Sequence, residues 1–422
     1  MRAERVFAAV DIGTTKICAL AAEMTEKGPQ FLGAGTVPAR GIKKGIVVNI
    51  DEAADAVQRA VHDAEASSGR KLRMAVVGMS GQHIAGIPST GVIGLQGGEI
   101  TRDDRMRAID SAKTLYIPLD REVIHVIPSE FILDGQKEIT DPVGMSGVRL
   151  ESKIYIITAH AQTVQNLEKT CSRAGLQVLE TVFGPAATAL ATLTADEIGR
   201  GAVLADIGGG TTDIALFRDG ALVHAAVIGI GGLHITNDLA VCMNISGADA
   251  EKGKIAMGSA CMQDGKREAA ARVSVPGDAS RKVSRQQMAA IIQPRCEELF
   301  EMVKHEVHRA FPHGPFPCSM VLTGGTALLN DISGLAASLL NMPARLGMPQ
   351  GISGLKGGLR DPAYAAAVGL LVYAFEHGSL NRTSAAPAGS VIGNFKERVK
   401  ELTGYKEFLE MLQKKKKGVS YV

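Results

Sequence analysis

Apolar residues fall in short runs punctuated by glycine-rich or acidic turns. Residues 6–10 and 17–22 read as two buried strands, and 31–37 as a third. The period then becomes helical from about Asp51, with Ile50, Ala54, Val57, Val61 and Ala64 on one face and Gly69 placed to close the helix. Residues 73–78 return to a buried strand. Buried strands alternating with helices predict an α/β sheet. Residues 83–158 read differently. They hold one polar helix (102–113), strands at 123–127, 130–133 and 148–157, and turns at Asp134-Gly135 and Asp141-Pro142, which together make a small α+β insert. A helix at 163–174 resumes the first pattern, and 184–193 reads as a connecting helix.

A second unit starts near Gly201, with strands at 202–206, 213–217 and 221–228 and a hairpin turn at Asp219-Gly220. Glycines 229, 231 and 232 precede a helix carrying Ile235, Leu239 and Val241. Residues 246–293 are polar and read as a further insert. An amphipathic helix is expected at 297–310. A strand at 320–322 runs into Thr323-Gly324-Gly325-Thr326, expected to open another helix whose N–H groups face a phosphate or an adenosine.

The two units share one turn. Asp11-Ile12-Gly13-Thr14-Thr15 and Asp206-Ile207-Gly208-Gly209-Gly210-Thr211-Thr212 each join two buried strands. Glycine permits close backbone approach to an anion and positive φ. Successive turn N–H groups converge on phosphate oxygens, threonine hydroxyls add donors, and an aspartate can hold a hydrated Mg²⁺. Two such turns predict two similar domains facing one nucleotide cleft.

Composition narrows the classes. The chain has 422 residues, 45% of them hydrophobic, enough for several subdomains with a sizeable core. A net charge of +2 carries no nucleic-acid signature, and no such partner is expected. The apolar stretches, such as 364–375, are too short to span a bilayer. Asp11 and Lys16 interrupt the N-terminal apolar run, so it does not read as a secretory signal. The six cysteines form no C-x-x-C pair, as expected of reduced thiols in the cytoplasm. His305 and His308 are three apart rather than four, which excludes the zinc-protease spacing.

Residues 377–392 read as a linker. Beyond it Phe395, Val399, Leu402, Tyr405, Phe408, Leu409 and Leu412 recur at helical spacing, with basic residues opposite and four lysines at 414–417. From Phe395 onward there are eight basic and four acidic residues, a net of +4. A tethered basic amphipathic helix suits an anionic membrane surface, where each lysine contributes about 1 kcal/mol. A solvated tail, or a helix docked on a partner protein, has the same pattern.

The paired phosphate turns and Thr323-Gly324-Gly325-Thr326 resemble the actin-like ATPase superfamily. Within it the chain is similar to the FtsA family of bacterial cell division proteins. The likeness rests on Ser80-Gly81-Gln82-His83-Ile84, on His125-Val126-Ile127-Pro128, on Asn49 with the 40–45 stretch, on 142–149, on Leu322-Thr323-Gly324-Gly325 and on 367–371. It implies an α/β actin-like (ribonuclease H-like) fold, duplicated around a nucleotide cleft, with two inserts and a C-terminal amphipathic helix. The implied divisions are 1–82 with 159–200, and 201–232 with 311–376, as the two actin-like domains. Residues 83–158 become the insert peculiar to the family, recruiting downstream division proteins. Residues 233–310 become a small subdomain that takes the C-terminal peptide of FtsZ, followed by the linker and a membrane-targeting segment at 393–417. The family polymerises on the membrane and links the FtsZ ring to it. The tail lacks the tryptophan often used there, and Phe395, Val399, Leu402, Phe408, Leu409 and Leu412 form its expected membrane face.

The expected ligand is ATP with Mg²⁺. Gly13, Thr14 and Thr15 face Gly208, Gly209, Gly210, Thr211 and Thr212 across the phosphates. Asp11 and Asp206 hold the hydrated Mg²⁺, with Asp206 also the candidate to orient water. Gly324 and Gly325 pass the adenosine, and Glu251 and Lys252 add contacts. Lys16 either supplies charge to a phosphate or points outward from its hairpin, and Asp213 reads as structural. A small-molecule kinase lacks an evident acceptor base, and a chaperone-type ATPase lacks a following substrate domain. Another actin-like scaffold is the nearest rival.

Overall fold

The computed structural model describes residues 6–26, 28–262, 270–272, 282–312 and 318–378. Three antiparallel strands open the chain: β1 (Val6–Ile12), β2 (Lys16–Thr25) and β3 (Gly28–Pro38). A two-rung hairpin follows, β4 (Ile42–Lys43) and β5 (Ile46–Val47). Helix α1 (Ile50–Ser68) then returns the chain to β6 (Met74–Met79), parallel to β1. The Asn49 side chain caps α1 by accepting from the Asp51 and Glu52 amides, and left-handed Gly69 closes it. Its buried face is largely alanine, so it lies close on β3: a methyl at Gly35 would sit 2.0 Å from the Ala60 carbonyl oxygen.

The insert comprises β7 (Ala85–Gly94), α2 (Arg102–Ala112), β8 (Arg121–Leu133), β9 (Gln136–Ile139) and β10 (Arg149–His160). Its sheet order is β7-β10-β8-β9, with Ala108, Ile109 and Ala112 of α2 buried against it. The two strands expected at 123–127 and 130–133 are one strand, β8. Its register shifts where Ile154 pairs with Pro128 and Lys153 with Glu130, leaving Ser129 extra. Proline has no N–H for the ladder, so the interruption in pattern is a bulge rather than a strand end.

Helix α3 (Ala161–Arg173) leads to β11 (Gln177–Phe183), parallel to β6, and completes a sheet of order β11-β6-β1-β2-β3. Helices α4 (Gly184–Thr192) and α5 (Ala195–Arg200) connect to the second half. There β12 (Ala202–Ile207), β13 (Thr212–Arg218) and β14 (Ala221–Ile228) form a second antiparallel set. Asp219 and Gly220 both take positive φ between the last two, as a tight hairpin requires. Then come α6 (Gly232–Met243), α7 (Gly247–Met257), β15 (Ala270–Arg272), β16 (Lys282–Ser284) and α8 (Arg285–Ala310). Next are β17 (Ser319–Thr323), α9 (Ile332–Leu340) and β18 (Ala344–Leu346). The sheet order β14-β13-β12-β17-β18 repeats that of the first sheet strand for strand. Helix α8 begins well before the expected Glu297 and carries Pro294 inside it.

One boundary is corrected. The reading of 311–376 as part of the second domain fails for helix α10 (Ala365–Gly378), which packs on β1, β2 and α4 of the first half. Side chains on a strand alternate faces. Val10, Ile17 and Ala19 are therefore covered by α1 and α3, whereas Ala9, Cys18 and Leu20 need a second cover. Val368, Leu371 and Phe375 of α10 supply it, and Gly369 lets α10 approach α4 so closely that a methyl would lie 2.1 Å from the Ala187 oxygen.

No helix among the described residues is long and apolar enough to cross a membrane. The amphipathic segment at 393–417 and all but the start of the linker lie outside the described residues.

Candidate functional site

The two shared turns close in the same way. Gly13 N donates to the Lys16 carbonyl (3.0 Å) and Gly208 N to the Thr211 carbonyl (2.9 Å). They meet face to face across a cavity of about 370 Å³ between the halves. A methyl on Gly209 would lie 2.2 Å from the Thr15 Cγ2, and one on Gly210 would lie 2.7 Å from the Thr14 Oγ1. The glycines are thus required by close approach of the opposite threonines. Positive φ, expected from their residue type, occurs at none of Gly13, Gly208, Gly209 or Gly210.

Asp11, Gly13, Thr14, Thr15, Lys16, Asp206, Gly208, Gly209, Thr211, Glu251, Gly324 and Gly325 all line the cavity. Gly210 and Thr212 do not. Gly210 backs onto Thr14, and Thr212 is buried, donating from Oγ1 to the Ile230 carbonyl at 2.8 Å. Lys252 is also corrected. It is exposed, 4.0 Å from Asp249, and Lys254 takes its place in the lining. Residues three apart share a helix face, so Glu251 and Lys254 point together while Lys252 is turned away. Lys254 Nζ donates to the Gly232 carbonyl (3.0 Å) and Thr236 Oγ1 (2.8 Å) and pairs with Glu251 at 2.7 Å. The spacing Glu251-x-x-Lys254 held that signal.

Thr323-Gly324-Gly325-Thr326 does not open an α-helix. It enters a single 3-10 turn (Gly325–Leu328), and α9 begins only at Ile332. Gly324 has φ 84° and ψ 166°, and a methyl there would lie 2.4 Å from the Asp206 Oδ1 and 2.5 Å from the Ile207 oxygen. Thr326 Oγ1 donates to the Gly208 carbonyl at 2.9 Å, tying this turn to the phosphate-type loop. Lys16 points inward. Its Nζ donates to the Ala363 carbonyl and lies 4.4 Å from the Tyr364 ring centroid.

Three carboxylates crowd the cleft. Asp206 and Asp213 are register partners on β12 and β13, equally far from their turn. Asp213, read from sequence as structural, is 8% exposed yet lines the cavity. Its Oδ2 accepts from the Ser80 hydroxyl of the other half, and its Oδ1 has no hydrogen-bond partner. Thr188 Oγ1 donates to Asp206 Oδ2 at 3.2 Å. Burial, then the charge of Asp11, raises Asp206 to about 6. Burial, then the charge of Asp206, raises Asp213 to about 8. Burial also raises Asp11, against the opposing effect of Lys16. A divalent cation beside these carboxylates would favour their charged forms. Among the described residues no three His, Cys, Asp or Glu side chains converge as a metal cage. A hydrated Mg²⁺ would use one or two carboxylates together with phosphate oxygens.

Comparison with known proteins places the chain. A family model described as cell division protein FtsA matches residues 203–369, and one described as the SHS2 domain inserted in FtsA matches 81–158. The cell division protein FtsA of Pseudomonas aeruginosa is 39% identical over 376 residues, covering 88% of this chain and 90% of the relative. That of Neisseria meningitidis is 38% identical over 374 residues, covering 87% and 90%. The chain belongs to the FtsA family of cell division proteins. As in that family, the β7-to-β10 sheet sits where the SHS2 match falls. The solved PilM–PilN type IV pilus biogenesis complex is similar with a TM-score of 0.64 at 16% identity, over 89% of this chain and 99% of the other. MreB5 of Spiroplasma citri, solved bound to ADP, gives 0.53 at 13% identity, over 87% and 96%. The fold of this FtsA-family chain is therefore actin-like, with the SHS2 insert between β6 and α3.

Proposed function

We propose that this chain binds ATP with Mg²⁺ in the cleft and polymerises at the inner face of the cytoplasmic membrane. There it anchors the FtsZ ring and helps recruit later division proteins. The observation that carries the nucleotide reading is the pair of facing turns, Gly13–Thr15 and Gly208–Thr211, with the carboxylates of Asp11, Asp206 and Asp213 lining the same cavity. Turn amides and the Thr14, Thr15 and Thr211 hydroxyls face the phosphates. Lys16 exchanges the Ala363 carbonyl for a phosphate oxygen. Asp11 and Asp206 hold the hydrated Mg²⁺, which neutralises charge on the phosphates when bound. Gly324, Gly325, Glu251 and Lys254 flank the adenosine. ADP bound by MreB5, a protein of the same fold, is in keeping with this. Asp206 orients water if ATP is hydrolysed, and nucleotide controls assembly more than it drives turnover. Asp11→Ala or Asp206→Ala is expected to weaken ATP–Mg²⁺ binding by about tenfold, about 1.4 kcal/mol, in a fluorescent-nucleotide titration. Unchanged affinity in both variants removes the site.

The division role further implies that 233–310 takes the FtsZ C-terminal peptide, that 83–158 takes downstream partners, and that 393–417 lies on anionic lipid. Co-sedimentation with anionic liposomes tests this. FtsZ is expected to pellet with the full-length chain, and not without it or with a chain ending at Gly378. A full-length chain that pellets without FtsZ is a membrane scaffold with another client. A chain that stays in solution has no membrane-binding tail.

A further inference from the structure

Between β6 and β7 lies a four-residue turn, Ser80–His83, that touches both halves of the cleft and leads directly into the insert. On the second-half side, the Ser80 hydroxyl donates to Asp213 Oδ2. The Gln82 amide lies against Gly229, where a methyl would stand 2.4 Å from its Nε2. Gly229 is in the β14–α6 connection, and just beyond it the Gly232 and Leu233 amides at the start of α6 donate to the Gly208 and Gly209 carbonyls at 2.9 and 2.8 Å. On the first-half side, a methyl on Gly45 would lie 2.4 Å from the Ser80 carbonyl oxygen, and Gly45 N donates to Thr14 Oγ1 at 3.0 Å. The turn is therefore one contact removed from each phosphate-type loop.

Its far end is tied into the insert. Arg121, at the start of β8, donates from Nη2 to the His83 carbonyl (2.9 Å) and the Thr158 carbonyl (3.0 Å), and from Nε to Thr158 Oγ1 (2.9 Å). One guanidinium thus clamps the strand leading into the insert to the strand leading out, as a planar five-donor group can. The insert also rests on β14, where Tyr155 Oη accepts from Ala225 N at 2.9 Å. Any shift of the turn relative to β14 must turn the insert on that seat. The His83 ring, 7% exposed, packs under Gly81 with neither nitrogen hydrogen-bonded, so packing alone holds the ring, while the turn itself is held by the Ser80 and Arg121 hydrogen bonds. A polar group left unpaired in this way lowers the cost of moving it.

We propose that the Ser80–His83 turn couples nucleotide in the cleft to the position of the 85–160 insert. ATP–Mg²⁺ engages Thr14 and the Gly208–Thr211 loop and shifts their neighbours Gly45, Asp213 and Gly229. The turn follows, and Arg121 passes the motion to both strands at the base of the insert. This makes the insert's orientation a readout of nucleotide state, which deepens the nucleotide reading above and rests on it.

Hydrogen exchange at the amides of 85–94 and 121–127, with and without ATP–Mg²⁺, tests the coupling. A fluorescent-nucleotide titration runs in parallel. In the unmodified full chain ATP–Mg²⁺ is expected to change exchange at these strands about fivefold or more. Gly229→Ala, which pushes the Gln82 amide away, and Gln82→Ala, at an exposed position, alter no residue of the cavity lining. Both are expected to bind nucleotide within about threefold of the unmodified chain. Both are also expected to lose most of the exchange response, which loss of fold stability alone would not do selectively. Two results overturn the coupling while leaving the nucleotide site standing: binding with no response in the insert, or an undiminished response in both variants. Failure of the unmodified chain to bind nucleotide overturns both readings together.

Discussion

Gly324→Ala is expected to destabilise the protein by about 2–6 kcal/mol and to abolish nucleotide binding. Two costs combine. At φ 84° and ψ 166° the backbone occupies a region that only glycine enters readily, and a side chain there costs about 1–3 kcal/mol. The added methyl also falls 2.4 Å from Asp206 Oδ1 and 2.5 Å from the Ile207 oxygen, and the second of these is backbone that cannot swing aside. Overpacking of this kind costs about 1–3 kcal/mol more. Relief requires the Gly325–Leu328 turn to move off the Asp206 strand, which breaks the Thr326-to-Gly208 hydrogen bond and opens the cleft. A thermal melt and a nucleotide titration measure the two effects. Gly325→Ala is the control for stability: a methyl there meets only Ala363 Cβ at 3.8 Å and is expected to leave the melting temperature nearly unchanged. Equal behaviour of the two variants contradicts the argument.

The nucleotide-free protein is expected to lose stability as pH rises from about 4 to 8, and Asp213→Asn to flatten that loss. Asp206 is raised to about 6 and Asp213 to about 8, while an unfolded chain has both near the ordinary carboxylate value of 3.8. Between these limits the folded state holds more protons than the unfolded state, so raising pH favours unfolding. Above about pH 8 the full penalty is present; below about pH 4 both states are protonated and it vanishes. Asparagine keeps an acceptor for the Ser80 hydroxyl without the charge, and is expected to stabilise the free protein at pH 8 and to change little at pH 4. Saturating ATP–Mg²⁺ is expected to reverse much of the pH slope, because a divalent cation beside the carboxylates favours their charged form. Melting temperatures at four pH values, with and without ATP–Mg²⁺, give the result. A stability that rises from pH 5 to 8 without nucleotide contradicts the crowded-carboxylate arrangement.

Much of this was legible before the structure. The short apolar runs of β1, β2, β12 and β13, the helical period of α1 and the Asp219-Gly220 hairpin are local, set by residue type and turn chemistry within a few residues. The duplicated Asp-x-Gly turns were visible because the two halves repeat one supersecondary unit. Helix phase was the local signal left unused. It placed Lys254 rather than Lys252 beside Glu251. The bulge at Pro128 was misread because proline breaks a ladder and ends a strand with the same residue.

By itself, the sequence determined which segments are strand or helix, that two halves are alike, and where acidic and glycine turns lie. Those depend on interactions within one element. The tertiary structure decided that Gly209 and Gly210 exist to admit Thr15 and Thr14, and that Asp213 belongs to the cleft. It also decided that α10 covers the first sheet rather than the second, and that Ser80 bonds across to Asp213. Each joins residues far apart in the chain, as in the contact between Ser80 and Asp213, 133 positions apart. No local period encodes such a contact, because it is set by which apolar face remains uncovered once the sheets have formed.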